Sequence, residues 1–322
     1  MAKYNYVVFC PYFGKLPNNI NLWLKSCSYN NNIKFIVLTD DNKNLDLPAN
    51  VEVILITFDK LKKMIQSKFD CKISLESPYK LCDYKTAYGY IFENYLNGCK
   101  YWGACDMDLV FGDIIKFLPT EDFDKISNRG HFMLLKNTKN LREAFMLNNT
   151  SKIDYKNILS NEMHFASDEI GDYGINNILL KNDYKIYPFE KTMADISTRR
   201  VNMRISPIKS DKKYGKRVFC FDNGKIFCYE LKNNIISKKE YSYIHFQKRK
   251  MKMNITNNNL NKFIITYCSF EDYEEITKDY IIKHQPKYSY NFNNIKLKYN
   301  SLKKKIKRAY IINKIKKNGD SL

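Results

Sequence analysis

The sequence lacks most of the features that announce a protein class. Its nine cysteines include no CxxC pair and its four histidines do not fall at zinc-ligand spacing, which speaks against a structural zinc or a disulfide framework. Thiols scattered in this way fit a reducing, cytoplasmic setting. No apolar run approaches the ~20 residues that a spanning helix needs. The first run, within MAKYNYVVFCPYFGK, is only about five residues long, too short for the core of a signal peptide. The expectation is a cytoplasmic protein, at most peripheral at the inner face of the plasma membrane. No internal repeat is present. What remains is a 322-residue chain, 44% hydrophobic, ample for one large α/β domain or two modest ones.

The formal charge of +20 is unevenly placed. Residues 1–200 carry 26 Lys and Arg against 24 Asp and Glu, whereas residues 201–322 carry 28 against 10. A nucleic-acid footprint would be basic around its site. Here the basic excess lies in the last third, and the segment richest in carboxylate motifs is near neutral.

Runs rich in β-branched and aromatic residues predict strands at 4–10, 34–41 and 51–58, with turn chemistry in DNKNLDLPAN between the last two. Helical spacing returns at 20–29, 58–69 and 80–96. Strands alternating with helices over about 110 residues imply an open, mostly parallel sheet with flanking helices, in which ligands bind beyond the carboxyl ends of the strands. Further on, a strand is expected at 131–136, helices at 141–146 and 171–181, and strands at 218–221, 225–229 and 241–246. Asn223-Gly224 reads as the turn of a hairpin, because that pair supplies the required positive φ angles.

The sharpest chemical feature is Asp106-Met107-Asp108, directly after the apolar YWGAC. Carboxylates at i and i+2, ejected at the end of a buried strand, can both reach one hard cation such as Mn²⁺ or Mg²⁺. The bland alternative is a solvated strand end. Lys80 and Asp83 lie three residues apart on one helical face and can simply pair.

The wider pattern resembles the GT-A fold of glycosyltransferases, in which a DxD follows the strand closing the nucleotide-binding half. PYFGKLPNNINLWLKSC (11–27), SPYKLCDYKTAYGYIF (77–92), YWGACDMDLVFGDI (101–114), NRGHF (128–132) and YIHFQKRKM (243–251) look like a little-characterised bacterial family associated with capsular and other surface polysaccharides. The resemblance covers roughly residues 5–252. It implies a glycosyltransferase domain over 1–252, with a nucleotide-binding half to about 114 and an acceptor half from 115, followed by a basic helical extension over 253–322.

On this resemblance, Pro11, Tyr12, Phe13, Thr39 and Asp40 would hold the base and ribose of the donor, although Tyr12 could equally be core and Asp40 a helix cap. Lys80, Asp83, Lys85 and Met107 would contact the sugar nucleotide. His245 would be the third metal ligand, an imidazole suiting Mn²⁺ better than Mg²⁺, and Lys248 and Arg249 would cover the diphosphate. Asp168, with Glu169 as rival, would be the acceptor-side base, unless both acids merely serve the start of a helix. His131 and Asp195 would line the acceptor pocket. The reaction implied moves a hexose from a nucleotide sugar, read as a UDP-sugar, to a saccharide or polyprenyl-linked acceptor.

The tail, NIKLKYNSLKKKIKRAYIINKIKK (294–317), sets Ile295, Tyr299, Leu302, Ile306, Tyr310 and Ile315 in a stripe among lysines. That pattern suits a helix lying on an anionic membrane surface, one packed on its own domain, or a disordered basic tail. The competing functional class is a nucleic-acid-binding protein or nuclease that uses the basic last third and the DxD acids. It requires basic and aromatic residues interleaved near those acids, and the sequence puts them far away along the chain.

Overall fold

A computed structural model describes residues 4–147, 151–197, 200–206, 215–247, 249–288 and 294–318. The strands of its first half are β1 (Tyr6–Pro11), β2 (Ile33–Thr39), β3 (Val51–Leu55), β4 (Tyr101–Cys105), β5 (Leu109–Phe111), β6 (Lys125–Ile126), β7 (Phe132–Lys136), β8 (Ile186–Tyr187) and β9 (Ala194–Asp195). Those of the second half are β10 (Lys216–Asp222), β11 (Lys225–Lys232), β12 (Ile235–Tyr241), β13 (Tyr243–His245), β14 (Lys252–Asn254), β15 (Lys262–Ile265) and β16 (Ser269–Asp272).

The expected α/β architecture is present. A seven-stranded sheet runs β3-β2-β1-β4-β7-β6-β8, with its first four strands mutually parallel. Alternate residues on these strands enter two different cores, as a sheet covered on both faces requires. Val7, Phe9, Ile36 and Leu38 pack with Leu61, Ile65, Tyr84 and Tyr88. Val8, Cys10, Phe35 and Val37 pack on the other face with Trp23 and Leu24 of the helix Ile20–Ser28. After β1 the chain builds outward through β2 and β3, then returns to lay β4 on the opposite side of β1. The crevice beyond the carboxyl ends of β1 and β4 is therefore a topological switch point, where open sheets bind ligands.

Two smaller sheets complete the fold: β5-β13-β9, and β12-β11-β10-β15-β16-β14. The Asn223-Gly224 hairpin is formed, with φ of 47° and 81° at the turn and Asp222 opposite Lys225. The sequence pattern misses β12, a lysine-bearing edge strand whose side chains are largely exposed. It also misses β14 to β16. These carry the sheet to Asp272, whereas a helical extension was expected from residue 253; helix resumes only at Lys278. The single helix expected over 80–96 is instead a chain of short α and 3₁₀ turns between Pro78 and Tyr95. Both kinds of turn give apolar spacings of three and four, so periodicity does not separate them. All nine cysteines are free thiols, and no described helix is long and apolar enough to cross a membrane.

Gly103 lies mid-β4 between β1 and β7, and a Cβ there would come 2.1 Å from the Met133 carbonyl oxygen. Backbone in a central sheet has nowhere to go. Gly103→Ala is expected to destabilise the fold by roughly 1–3 kcal/mol or more, read as a lower urea midpoint. Leu55→Ala, at a side chain 63% exposed, should change stability by no more than about 0.5 kcal/mol.

Candidate metal and donor site

The site forms where the chain crosses from one sheet to another. Asp106 follows β4 and Asp108 precedes β5, while Met107 between them is buried in the core that fills the β1/β4 face. The chain bends at Met107 and Asp108, and while Met107 is sealed inward both acids stay partly exposed. This also takes the Met107 side chain away from the donor-contacting role expected of it.

Backbone ladders bring the partners. Cys105 pairs with Phe132, and the next rung binds the Asp106 N–H to the His131 carbonyl at 2.9 Å. On the other sheet His245 stands opposite Leu109 and beside Asp195, and the Phe246 N–H donates to the Asp108 carbonyl at 2.9 Å. Ligand atoms of Asp106, Asp108 and His245 consequently lie within 4.8 Å of one another, as do those of His131, Asp195 and His245.

The two trios differ in exposure. In the first, the acid side chains are 34% and 30% exposed above a buried imidazole, leaving room for water and phosphate oxygens in a cation's shell. The second is wholly buried, and its Asp195 is already engaged: Oδ1 stands 2.8 Å from His245 Nδ1 and accepts from the Gln247 amide at 2.6 Å. That contact leaves His245 Nε2 turned to Asp108 at 3.3 Å. Asp195 thus orients a potential ligand, as carboxylates behind metal-bound histidines do. Two carboxylates and one imidazole suit Mn²⁺. Burial acts to lower the His245 pKa, but the flanking Asp108 and Asp195 prevail and lift it to about 10. His131, stacked on His245 with ring centroids 4.0 Å apart, is held neutral, its pKa pushed well down by burial first and then by His245, Lys85 and Arg129. Neither His131 nor Asp195 lines an open acceptor pocket, and both belong to the surroundings of His245.

Lys85 is buried beneath the acids. Its Nζ donates to Asp106 Oδ1 at 2.5 Å and to the Gly130 carbonyl at 2.9 Å, and lies 3.8 Å from Asp168 Oδ2. Burial works to lower its pKa, yet Asp106 leads the charges that raise it well above the ordinary lysine value. Asp168 is only 5% exposed, and burial lifts its carboxyl to about 7 against the opposing pull of Lys85. Gly130 makes room for it, since a Cβ there would meet Asp168 Oδ2 at 1.9 Å. Glu169 is otherwise employed, accepting the Gly130 N–H at 2.9 Å with Arg129 3.8 Å away.

At the end of β1, Pro11 completes the ladder with Leu38 and Tyr12 donates its N–H to the Leu38 carbonyl at 2.8 Å. Burial, then the charges of Asp108 and Cys10, raise the Tyr12 phenol, and its side chain packs on the margin of the core that holds Met107. Phe13 packs edge-on against Phe58 and belongs to the core margin. Thr39 is fully buried, its hydroxyl accepting the Asp41 N–H at 3.2 Å. Exposed Asp40 accepts the Gly14 N–H at 2.7 Å, which ties the ends of β1 and β2 together.

Three expected donor contacts have other employment. Lys80 Nζ donates to Asp83 Oδ2 at 2.8 Å and to the carbonyls of Ile158 and Met163, while Asp83 accepts the N–H groups of Phe165 and Ser167. With side-chain exposures of 2% and 0%, this pair pins the 158–167 segment rather than facing a ligand. The Arg249 guanidinium is spent on carbonyls of Ser197, Arg200, Val201, Asn202 and Tyr267, and burial lowers its pKa to about 10. Lys248 lies outside the described residues. Gln247, at a positive φ of 48°, and the Gly130 carbonyl are participants that sequence reasoning overlooked. β13 ends at His245 and Gln247 lies in the turn beyond it, so strand alternation carried no signal for Gln247.

Removing one partner of the Lys80–Asp83 pair strands a buried charge. Asp83→Ala is expected to cost about 3–5 kcal/mol, seen as a lowered thermal midpoint. The double variant Lys80→Met with Asp83→Leu should recover part of that loss, which a role in donor contact alone would not produce.

No curated protein matches the sequence. Among solved structures it is similar to the galactosyltransferase LgtC in complex with donor and acceptor sugar analogues, at 12% identity over 74% of this chain and 86% of that one, with a TM-score of 0.35. It is also similar to the apo form of the glycosyltransferase GlyE of Streptococcus pneumoniae TIGR4, at 17% identity over 58% of this chain and 46% of that one, with a TM-score of 0.29. The family of unknown function DUF6625 matches residues 8–274, most of the chain, and the protein belongs to that family.

Proposed function

We propose that the protein is a metal-dependent glycosyltransferase that moves a hexose from a nucleotide sugar, in the first instance a UDP-sugar, to a saccharide or polyprenyl-linked acceptor of a surface glycan. The observation that carries this reading is the trio Asp106, Asp108 and His245, gathered within 4.8 Å just past β4, at the switch point of the parallel half of the sheet. A divalent cation held there neutralises charge on the departing diphosphate.

The chain's own groups have definable tasks in this scheme. Tyr12, just past the end of β1, offers a ring face to a nucleobase, and Asp40 at the neighbouring strand end offers an acceptor for a base N–H. Lys85 holds Asp106 aligned. His245 gives up its Nε2 proton when it serves as a ligand, while Asp195 keeps the one on Nδ1 and fixes the ring. Asp168, behind Lys85, takes the proton of an attacking hydroxyl in this scheme. Glu169 braces Gly130 and is the weaker candidate for that role.

A panel of nucleotide sugars assayed for hydrolysis with Mn²⁺ tests the reading. Asp106→Ala and Asp108→Ala should each abolish turnover while the thermal transition stays cooperative, and EDTA should do the same to the parent protein. Asp195→Ala should weaken Mn²⁺ binding, measured by calorimetry, about 10–100-fold. Full turnover in EDTA would refute metal dependence.

The pH profile tests Asp168 separately. Its folded pKa of about 7 lies above the ordinary carboxyl value. The folded state therefore retains the proton that the unfolded chain releases first. The stability this gives is complete below the unfolded pKa and is lost as pH rises through about 7. The basic form appears over the same interval, so turnover should climb through about pH 7. Asp168→Asn should lower it by about 10²–10⁴ and remove that limb, with Mn²⁺ affinity unchanged. A variant that keeps the limb would assign the base elsewhere.

A further inference from the structure

The C-terminal helix, Asn294–Asn318, presents two opposed faces. Ile311, Ile312 and Ile315 pack on the main core, Arg308 Nε donates to the His164 carbonyl at 3.1 Å, and Lys304 lies 5.4 Å from the centre of the Tyr79 ring. Ile315 thus leaves the stripe expected from the sequence and joins the body, while the Ile295 side chain lies outside the described residues. At about 100° per residue these body-facing positions fall within an arc of about 100°. Tyr299, Leu302, Ile306 and Tyr310 fall within an arc of about 80° centred on the opposite side. They are 65%, 56%, 62% and 68% exposed.

Lysines line both margins of that outer stripe. Lys303, Lys307 and Lys314 follow one edge, and Lys305 and Lys316 the other. The helix contains ten basic residues and no acidic one. We infer that this outer face docks on an anionic lipid surface, with the two tyrosines, the leucine and the isoleucine entering the interface and the flanking lysines meeting lipid phosphates. The reading is independent of the proposed reaction.

Charge and shape select this occupant over others. A second copy of the helix would set lysine rows against lysine rows with no carboxylate between them, a repulsive arrangement. A nucleic acid would satisfy the lysines but leave four large apolar side chains at the centre of the contact without an apolar partner. A bilayer surface satisfies both components at once. The fold holds the helix in place by its inner face, so the stripe stays outward instead of collapsing onto the domain.

The test is flotation of the full chain with phosphatidylglycerol–phosphatidylcholine vesicles and with phosphatidylcholine vesicles alone. The parent should float with the anionic vesicles only, and less so as salt is raised. Two variants separate the components: Tyr299, Leu302, Ile306 and Tyr310 each replaced by Ser, and Lys303, Lys305 and Lys307 each replaced by Gln. Every one of these side chains is exposed, so the thermal transition should not move. Each variant should lower the partition coefficient about tenfold or more. The inference is overturned if the parent stays in solution with anionic vesicles, or if both variants float as well as the parent. It is equally overturned if duplex DNA displaces the parent from vesicles with both variants unaffected, or if the serine variant merely dissolves a dimer that sedimentation shows in the parent.

Discussion

The candidate site depends on one constraint: the chain must leave the seven-stranded sheet and enter the three-stranded one within three residues, with Met107 sealed in the core between them. That side chain is committed inward at a bend of the chain, and Asp106 and Asp108 on either side of it stay partly exposed. The ladders then decide their neighbours. His131 arrives because β7 runs antiparallel to β4, and His245 and Asp195 arrive because β13 lies between β5 and β9. Shifting β13 by one residue would turn His245 to the opposite face, so backbone pairing sets the chemistry here.

A second theme is the division of labour among neighbouring charges. Lys80, Asp83 and Lys85 lie within six residues on one run of short turns, yet they serve two different ends. Lys80 and Asp83 neutralise each other in the interior and spend their remaining bonds on the 158–167 segment. Lys85 reaches the other way, to Asp106 and Asp168. The first pair thereby positions the segment on which Asp168 sits, and the second contact holds the acid that faces solvent. A buried charge is costly unless it is matched, and Lys80, Asp83 and Lys85 complete their matches with groups far away in the sequence.

The basic last third, the most conspicuous feature of the composition, divides in the same way. Part of it lies on β10 to β16, where lysines occupy strand edges. Another part follows the margins of the C-terminal helix, whose inner face is anchored to the body and whose outer face is apolar between its lysines. Net charge alone described neither arrangement.

The sequence by itself determined the α/β alternation, the parallel β1–β3 run, the Asn223-Gly224 turn and the exit of two carboxylates after YWGAC, because each follows from local periodicity or turn chemistry. It left undecided which charged groups become partners. Lys85 and Asp106 are 21 residues apart, Asp195 and His245 are 50, and Asp83 and Ser167 are 84. Asp195 therefore reads as a pocket residue until β9 is laid beside β13, and Arg249 as a phosphate clamp until five carbonyls claim it. The edge strands β12 and β14 share this origin, since an exposed edge carries no alternation to read. Local pattern reports which side of an element is buried. Only tertiary pairing, which joins segments far apart in the chain, decides what each buried or half-buried group will touch.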